Sequence, residues 1–272
     1  MRSNAPYSTE TCTRRRKPDE ARSLTPPLNA VGRRYQVRFA QTAEDVEAVF
    51  RLRFEVFNLE LGEGLEASYA TGRDEDRFDA HCQHLMVIHN DSGETVGTYR
   101  LQVAEAAEAG EGFYSASEFE LSALPDDVIS GAVELGRACI RSDHRNREAL
   151  FLLWKGLTAY VIWNKKRYFF GCSSLTSTDP VEGLRTFEHL AQGGYVHARL
   201  CVPPLPGFEC VASGPEHPLP DVHIPTLFRT YLRYGAKVIG PPAIDRAFKT
   251  VDFLTLVDFD ALDSKTIETF TR

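Results

Sequence analysis

Tyr35–Ala40 (YQVRFA) alternates apolar and polar positions, which predicts a short strand with one buried face. From Thr42 the period changes. Val46, Val49, Phe50, Arg53, Phe54 and Phe57 recur at helical spacing behind a capping threonine and the acidic first-turn residues Glu44 and Asp45. A helix should therefore run to about Leu59. Gly62–Phe78 has glycines and no period and reads as a mobile lid or loop. His84–His89 and Thr95–Val103 read as two strands joined by Asn90-Asp91-Ser92-Gly93, a hairpin turn signal. Residues 104–130 are acidic, with a short helical or strand piece at Phe113–Leu124. Ala132–Ile140 reads as a buried strand, Ser142–Arg147 as a polar turn, and Ala149 to about Asn164 as an apolar helix. Tyr168–Leu175 is the next buried strand. A helix then opens at Asp179-Pro180 and stops near Gln192, before Gly193-Gly194. A proline-rich connection, 200–222, with one strand at Phe208–Ala212, leads to an amphipathic helix at Pro225–Tyr234 and late strands at Lys237–Gly240 and Asp252–Asp258.

This order predicts an α/β fold, a single domain with a mixed β-sheet flanked by helices. An antiparallel hairpin should precede parallel βαβ units of right-handed crossover. No internal repeat is visible. Residues 1–33, rich in Arg, Pro, Ser and Thr, read as a disordered basic tail, leaving 34–272 as the domain. That tail could touch anionic lipid or an acidic partner, or simply solubilise the chain.

The 272 residues carry a net charge of −7, which argues against nucleic acid as a partner. The charge is uneven. Residues 1–36 hold eight Lys/Arg against three Asp/Glu, and residues 137–167 hold eight against two. Six cysteines are scattered without C-x-x-C spacing, so no metal site or thioredoxin motif is expected, and the thiols should be reduced in a cytoplasmic protein. The longest apolar run, around Phe151–Trp163, is interrupted by Lys155 and is too short to span a bilayer.

Candidate chemistry concentrates at 131–166. A strand, a cation-rich turn with Arg141, Arg145 and Arg147, and a helix start together suit an anion. Glu134 and Arg137 lie inside the strand. A regular strand puts them on opposite faces, whereas a bulge lets both face one cleft. They are either a buried ion pair that orders the core or an acid/base and binding pair.

Several segments taken together resemble a known family: R-L-R-F-E-V-F at 51–57, F-D-A-H-C-Q-H-L-M-V at 78–87, V-G-T-Y-R-L at 96–101, E-L-G-R-A-C-I at 134–140, and Y-L-R-Y-G-A-K-V-I-G-P-P-A-I-D at 231–245. Over residues 35–260 the chain resembles the acyl-carrier-protein-dependent N-acyltransferases of the GNAT superfamily. The nearest branch is the L-ornithine N-alpha-acyltransferases, or lyso-ornithine lipid synthases, often labelled "haemolysin-like". Acyl-homoserine lactone synthases are more distant. The resemblance implies a GNAT-like fold and transfer of a long-chain, optionally 3-hydroxy, fatty acyl group from acyl carrier protein to the α-amine of an amino acid, ornithine in the nearest branch. It implies shared charged positions at Arg53, Asp79, Arg100, Glu134 and Arg137. The glycine-bearing CoA loop of acetyl-transferring relatives is absent: the corresponding turn is Arg141-Ser142-Asp143-His144-Arg145-Asn146-Arg147. Close approach of amides to a pyrophosphate wants glycine. This favours the phosphopantetheine of a carrier protein, with one phosphate, as donor and no permanently bound cofactor.

Aminolysis of a thioester requires an acceptor amine without its proton. Glu134, raised in pKa by burial, could take that proton, with Arg137 beside it. Amides around Gly136–Cys139 could hold the oxyanion. Cys139 as acyl-accepting nucleophile is the covalent alternative. Arg53 or Arg100 would serve the acceptor's carboxylate, and Asp79, Asp74 or Asp76 a cationic side chain. His84 could be a second proton carrier. The bland readings are surface ion pairs for Asp79 and Arg100 and a structural histidine. Arg141, Arg145 and Arg147, with Lys165, Lys166 and Arg167, form a basic patch suited to an acidic carrier protein. Three readings stay open: this N-acyltransferase, or one making N-acyl amino acids or homoserine-lactone-type signals; a non-enzymatic, haemolysin-like membrane-associated protein; and a carrier-sensing binding module. The expected location is cytoplasmic, with peripheral contact at the inner membrane face left open.

Overall fold

In the computed structural model, which describes residues 23–211 and 222–271, the alternating segments join one nine-stranded sheet. Its strands are β1 (Asn29–Val31), β2 (Tyr35–Phe39), β3 (Gln83–His89), β4 (Thr95–Val103), β5 (Ala132–Ile140), β6 (Tyr168–Leu175), β7 (Lys237–Val238), β8 (Ala243–Asp245) and β9 (Thr250–Asp258). They lie in the order β1-β2-β3-β4-β5-β6-β9-β7, with β8 also on β9. Only β5 and β6 run parallel. The helices are α1 (Ala43–Arg53), α2 (Ser68–Thr71), α3 (Ala104–Glu108), α4 (Asp126–Ser130), α5 (Arg147–Trp163), α6 (Pro180–Gln192), α7 (Thr226–Arg233) and α8 (Ser264–Thr271).

The expected sequence of parallel βαβ units reduces to one, β5–α5–β6; β9 returns antiparallel to β6 over the whole of that strand. Of the strand expected at Phe208–Ala212, the described residues 208–211 form none, and Ala212 lies outside the described residues. Residues 208–211 contribute a single bridge, Glu209 to Ala243. The boundary expected at residue 33 falls inside a hairpin, because Asn29–Val31 pairs with Gln36–Arg38. The rest of the expected tail, residues 1–22, lies outside the described residues.

Alternation assigns the two faces. On one, Val37, Leu85, Leu101 and Val133 pack against Leu153 and Tyr160 of α5. On the other, Met86 and Ile88 meet Val49 and Phe50 of α1, while Phe170, Leu254 and Leu256 meet Phe113 and Phe119. We call these the α5 face and the α1 face. The Thr42 side chain accepts from Asp45 N, and the Asp45 carboxylate answers Thr42 N, so α1 starts on a capping box. Beyond Arg53 the helix widens into a π-helical stretch, Phe54–Glu60. Such widening often marks functional sites.

The feature that positions the site is a fork. β5 and β6 pair only from Ala132↔Tyr168 to Glu134↔Phe170. Past that point Gly171 approaches Leu135 so closely that an added Cβ would sit 2.2 Å from its carbonyl oxygen. From there the strands diverge around a cavity.

Candidate active site

β5 carries its charged pair into this fork through a bulge. Thr98 faces Cys139 and Arg100 faces Gly136, so two residues of β5, Arg137 and Ala138, stand opposite Tyr99 alone. Arg137 takes a left-handed backbone, φ 48. The extra residue restores Arg137 to the α1 face, which Glu134 already occupies. Tyr114 touches both: its N–H donates to Glu134 Oε2 at 2.9 Å, and its ring lies 4.8 Å from the Arg137 guanidinium. Ser115 N donates to the other Glu134 oxygen at 2.7 Å. Burial pushes the Glu134 carboxyl above its ordinary value, against the lowering pull of the Ser115 hydrogen bonds and Arg100.

Both residues open onto a cavity of about 930 Å³. It passes through the fork. Phe57, Tyr114 and Phe248 line it on the α1 face, and Tyr99, Trp154 and Tyr231 on the α5 face. A hydrogen bond between the Tyr99 and Tyr231 hydroxyls ties α7 over the sheet. Past Glu134, the edge of β5 that faces the gap has no strand beside it. The stretch 136–139, where the sequence reading looked for oxyanion donors, lines the cavity along this edge.

The remaining sequence candidates divide. Arg53, Arg100 and Arg137 meet Asp74, Asp76 and Asp79 in one buried network. Arg53 holds Asp79 at 2.8 Å and Asp74 at 3.2 Å. Arg100 holds Asp76 at 2.7 Å and Asp79 at 3.2 Å. Arg137 holds Asp76 at 3.0 Å and Asp74 at 3.3 Å. Three cations thus face three anions, and of the six only Arg137 lines the cavity. Arg53 and Arg100 are not free for a substrate carboxylate, nor Asp74, Asp76 and Asp79 for a substrate ammonium, because each already has its counter-charge in a dry interior. The guanidiniums beside Asp74 and Asp79 hold both carboxyls below their ordinary values despite burial. The same network corrects the mobile lid: residues 62–78 are strapped down, with Asp74 fully buried and its N–H on Phe50 O.

His84 is also corrected. It is buried behind the network against Phe50, with neither ring nitrogen hydrogen-bonded and Nε2 3.9 Å from Asp79, and does not line the cavity. Burial and the neighbouring Arg53 push its imidazole down to about 4, so it is neutral near pH 7 and carries no proton for the reaction. Cys139 lines the cavity, but burial drives its thiol far above the ordinary range. That state is the opposite of an activated nucleophile.

The basic turn splits as well. Arg145 and Arg147 line the cavity near the start of α5; Arg141 does not, and pairs instead with Asp143 and Glu94. Arg145 pairs with Glu60, whereas Arg147 forms no ion pair among the described residues. The Asn146 side chain accepts from Glu148 N and Ala149 N, so the helix start caps itself and two of its amides are already used.

The sequence reading missed Tyr114, Glu118, Cys172 and Asp252. Cys172 and Asp252 follow Glu134 across β5, β6 and β9 on the α1 face, and Glu118 packs behind them. Strand alternation in β9 carried the signal: Asp252 sits in phase with the buried Leu254 and Leu256, where a carboxylate is out of place.

A model of an acetyltransferase (GNAT) domain matches residues 52–155, from the end of α1 through β5 into α5. An L-ornithine N(alpha)-acyltransferase of Rhodobacter capsulatus is 33% identical over 254 residues, covering 88% of this chain and 95% of that protein. One of Brucella abortus is 31% identical over 244 residues, covering 85% and 87%. The chain belongs to the L-ornithine N(alpha)-acyltransferase family. It is an acyltransferase, and its mixed sheet flanked by helices is the GNAT fold. The crystal structure of the AHL synthase LasI superposes with a TM-score of 0.49 at 12% identity, covering 88% of this chain and 95% of that one. In this acyltransferase the turn before α5 carries no glycine, and Arg145 and Arg147 flank the cap residue Asn146.

Proposed function

We propose that the enzyme transfers a long-chain fatty acyl group, 3-hydroxylated or not, from the phosphopantetheine thioester of acyl carrier protein to the α-amine of ornithine, giving a lyso-ornithine lipid. The observation that carries this reading is the cavity that crosses the sheet at the fork. Its α5-face half is apolar and aromatic, suited to an acyl chain. Its α1-face half ends on Glu134 and Arg137, suited to an amino acid. The thioester carbonyl and the amine then meet at the edge of β5. Holding the two reactants there supplies a large part of the rate, about 7–11 kcal/mol in well-oriented cases.

Glu134 keeps free lone pairs beyond its two amide bonds and takes the ammonium proton directly or through a water. The freed nitrogen attacks the carbonyl carbon, and the oxyanion is received by amides of 136–139. Collapse breaks the C–S bond, and the thiolate leaves on the pantetheine arm while the nitrogen sheds its remaining proton. No covalent acyl-enzyme is used, in keeping with the raised Cys139 thiol. Arg145 and Arg147 stand where the single phosphate of the arm would enter. Acidic carrier protein as partner, a cytoplasmic site of action and contact with the membrane face belong to the same reading. Among the described residues no helix is long and apolar enough to cross a membrane.

The test is the reaction of purified protein with long-chain acyl carrier protein and ornithine, followed by mass spectrometry. An acylated ornithine is expected, with acyl-CoA a much poorer donor. Equal use of acyl-CoA would overturn the carrier-protein donor. Turnover of other amine acceptors but not ornithine would overturn the acceptor and leave the reaction class.

A further inference from the structure

The buried charges of this protein balance in one place and not in another. In the arginine–aspartate network every carboxylate faces a guanidinium. Around Cys172 none does. Glu118 and Asp252 are only 1% and 2% exposed. Both Glu118 oxygens and Asp252 Oδ1 have no hydrogen-bond donor. One oxygen of each lies within 4.8 Å of the other and of Cys172 Sγ. Among the described residues neither carboxyl has a cationic partner, and the charged neighbours that act on Glu118 are two more acids, Asp252 and Asp245. Asp245 is itself satisfied by the Tyr114 hydroxyl and the amides of Ala247 and Phe248. Burial and this mutual repulsion hold Glu118 far above its ordinary value, and Asp252 is raised as well. Two buried carboxyls this close resist ionising together. Any charge they do carry lacks a counter-ion among the described residues, which a cationic ligand entering the cavity would supply.

The cavity says which ligand. Asp252 and Cys172 line it; Glu118 stands behind them. One residue links this place to the reaction centre: Ser115 donates its N–H to Glu134 and places its Oγ 3.6 Å from Cys172 Sγ. A second acidic position therefore lies on the same face of the same cavity as Glu134, with Ser115 between them. We propose that Asp252, backed by Glu118, receives the side-chain ammonium of a diamino-acid acceptor and so sets the preference for ornithine-like acceptors over neutral amino acids. This deepens the acyl-transfer reading and rests on it. The two carboxyls are specificity-determining groups and take no part in the proton transfer at Glu134.

The test compares ornithine with norvaline, which has the same carbon chain and no side-chain amine, in the full-length wild type, Asp252→Asn and Glu118→Gln. Wild type should prefer ornithine by on the order of 100-fold in kcat/KM, since a desolvated counter-charge is left unpaired by the neutral analogue. Asp252→Asn should remove most of that preference, mainly through KM for ornithine, with an unchanged circular dichroism spectrum reporting that the variant is folded. An unchanged ornithine-to-norvaline ratio in both variants overturns the proposal. Calorimetry without any acyl donor separates it from its parent reading. Ornithine binding that is lost in Asp252→Asn, in a protein that transfers no acyl group, would remove the reaction and keep the pocket. Equal binding of the two amino acids by wild type would remove the pocket whatever the variants do. Turnover that falls on chelation and returns with a divalent metal would assign the carboxyls to a metal and overturn the ammonium reading.

Discussion

Arg137 holds a backbone conformation that costs a side-chain-bearing residue about 1–3 kcal/mol, and its guanidinium shows what maintains it. Asp74 and Asp76 grip it from one side, while the Tyr114 and Phe248 rings lie 4.8 and 4.2 Å from it. Beside it, Glu134 is fixed by two amides and has no cation bonded to it, which leaves it able to accept a proton. Glu134→Gln keeps the size of the side chain and one of its two accepted hydrogen bonds, and removes the proton acceptor. Its expected effect is a fall in kcat of about 10²–10⁴-fold with an unchanged circular dichroism spectrum. The pH profile supplies a second measurement. The base must be ionised, and burial raises its pKa, so wild-type kcat/KM should fall on acidification at a pH above the usual glutamate range. That acidic limb should vanish in Glu134→Gln. This residue pair is legible from its three-residue separation inside an apolar strand. Glu118 with Asp252 is not, because they come from a loop and a late strand and meet only when β9 lies against β6.

At the scale of elements, the fork and the strap are the two constraints. Gly171, at φ 155, lies against Leu135 O with no room for a side chain. Gly171→Ala should destabilise the protein by about 1–3 kcal/mol or more, read as a lowered Tm, and should depress turnover by spreading the strands where they part. The strap over residues 62–78 depends on Arg53. Arg53→Met leaves Asp74 and Asp79 short of a cation in the interior and should cost about 3–5 kcal/mol in denaturant unfolding. Both carboxyls are depressed in the folded state, so the network's stabilisation is complete above the unfolded aspartate pKa and is lost as pH falls through the folded values. The difference between wild type and Arg53→Met should therefore be constant near neutrality and shrink below about pH 4. A variant difference that stays the same down to strong acid would count against the network. The helices and long strands were legible because their periods are long. The strap was read as mobile because its anchors are charged side chains, which carry no period. Strands β1 and β8 have only three residues each, too few for a pattern.

For the whole molecule, the balance of −7 does not extend to the start of α5, where Arg145 and Arg147 are exposed and line the cavity. Arg147 has no ion pair among the described residues, so Arg147→Glu should raise KM for acyl carrier protein about tenfold with little change in kcat. The effect should fade as salt is raised, as expected of an exposed charge. An equal loss at high salt would point to a packing defect instead. The family and its fold were legible from charged motifs spread over the domain. The division of those charges into a closed network and an open cavity was not, because pairing is a property of three-dimensional neighbours. The fork itself carries one more consequence. It is zipped shut at Glu134 and Phe170 and unzipped beyond Gly171. On the proposed reading, a product with its head on one side of the sheet and its tail on the other could not step out sideways through the hydrogen-bonded strands. It would have to slide lengthwise, like a thread drawn from an open seam, and leave by the mouth beside Arg145 and Arg147.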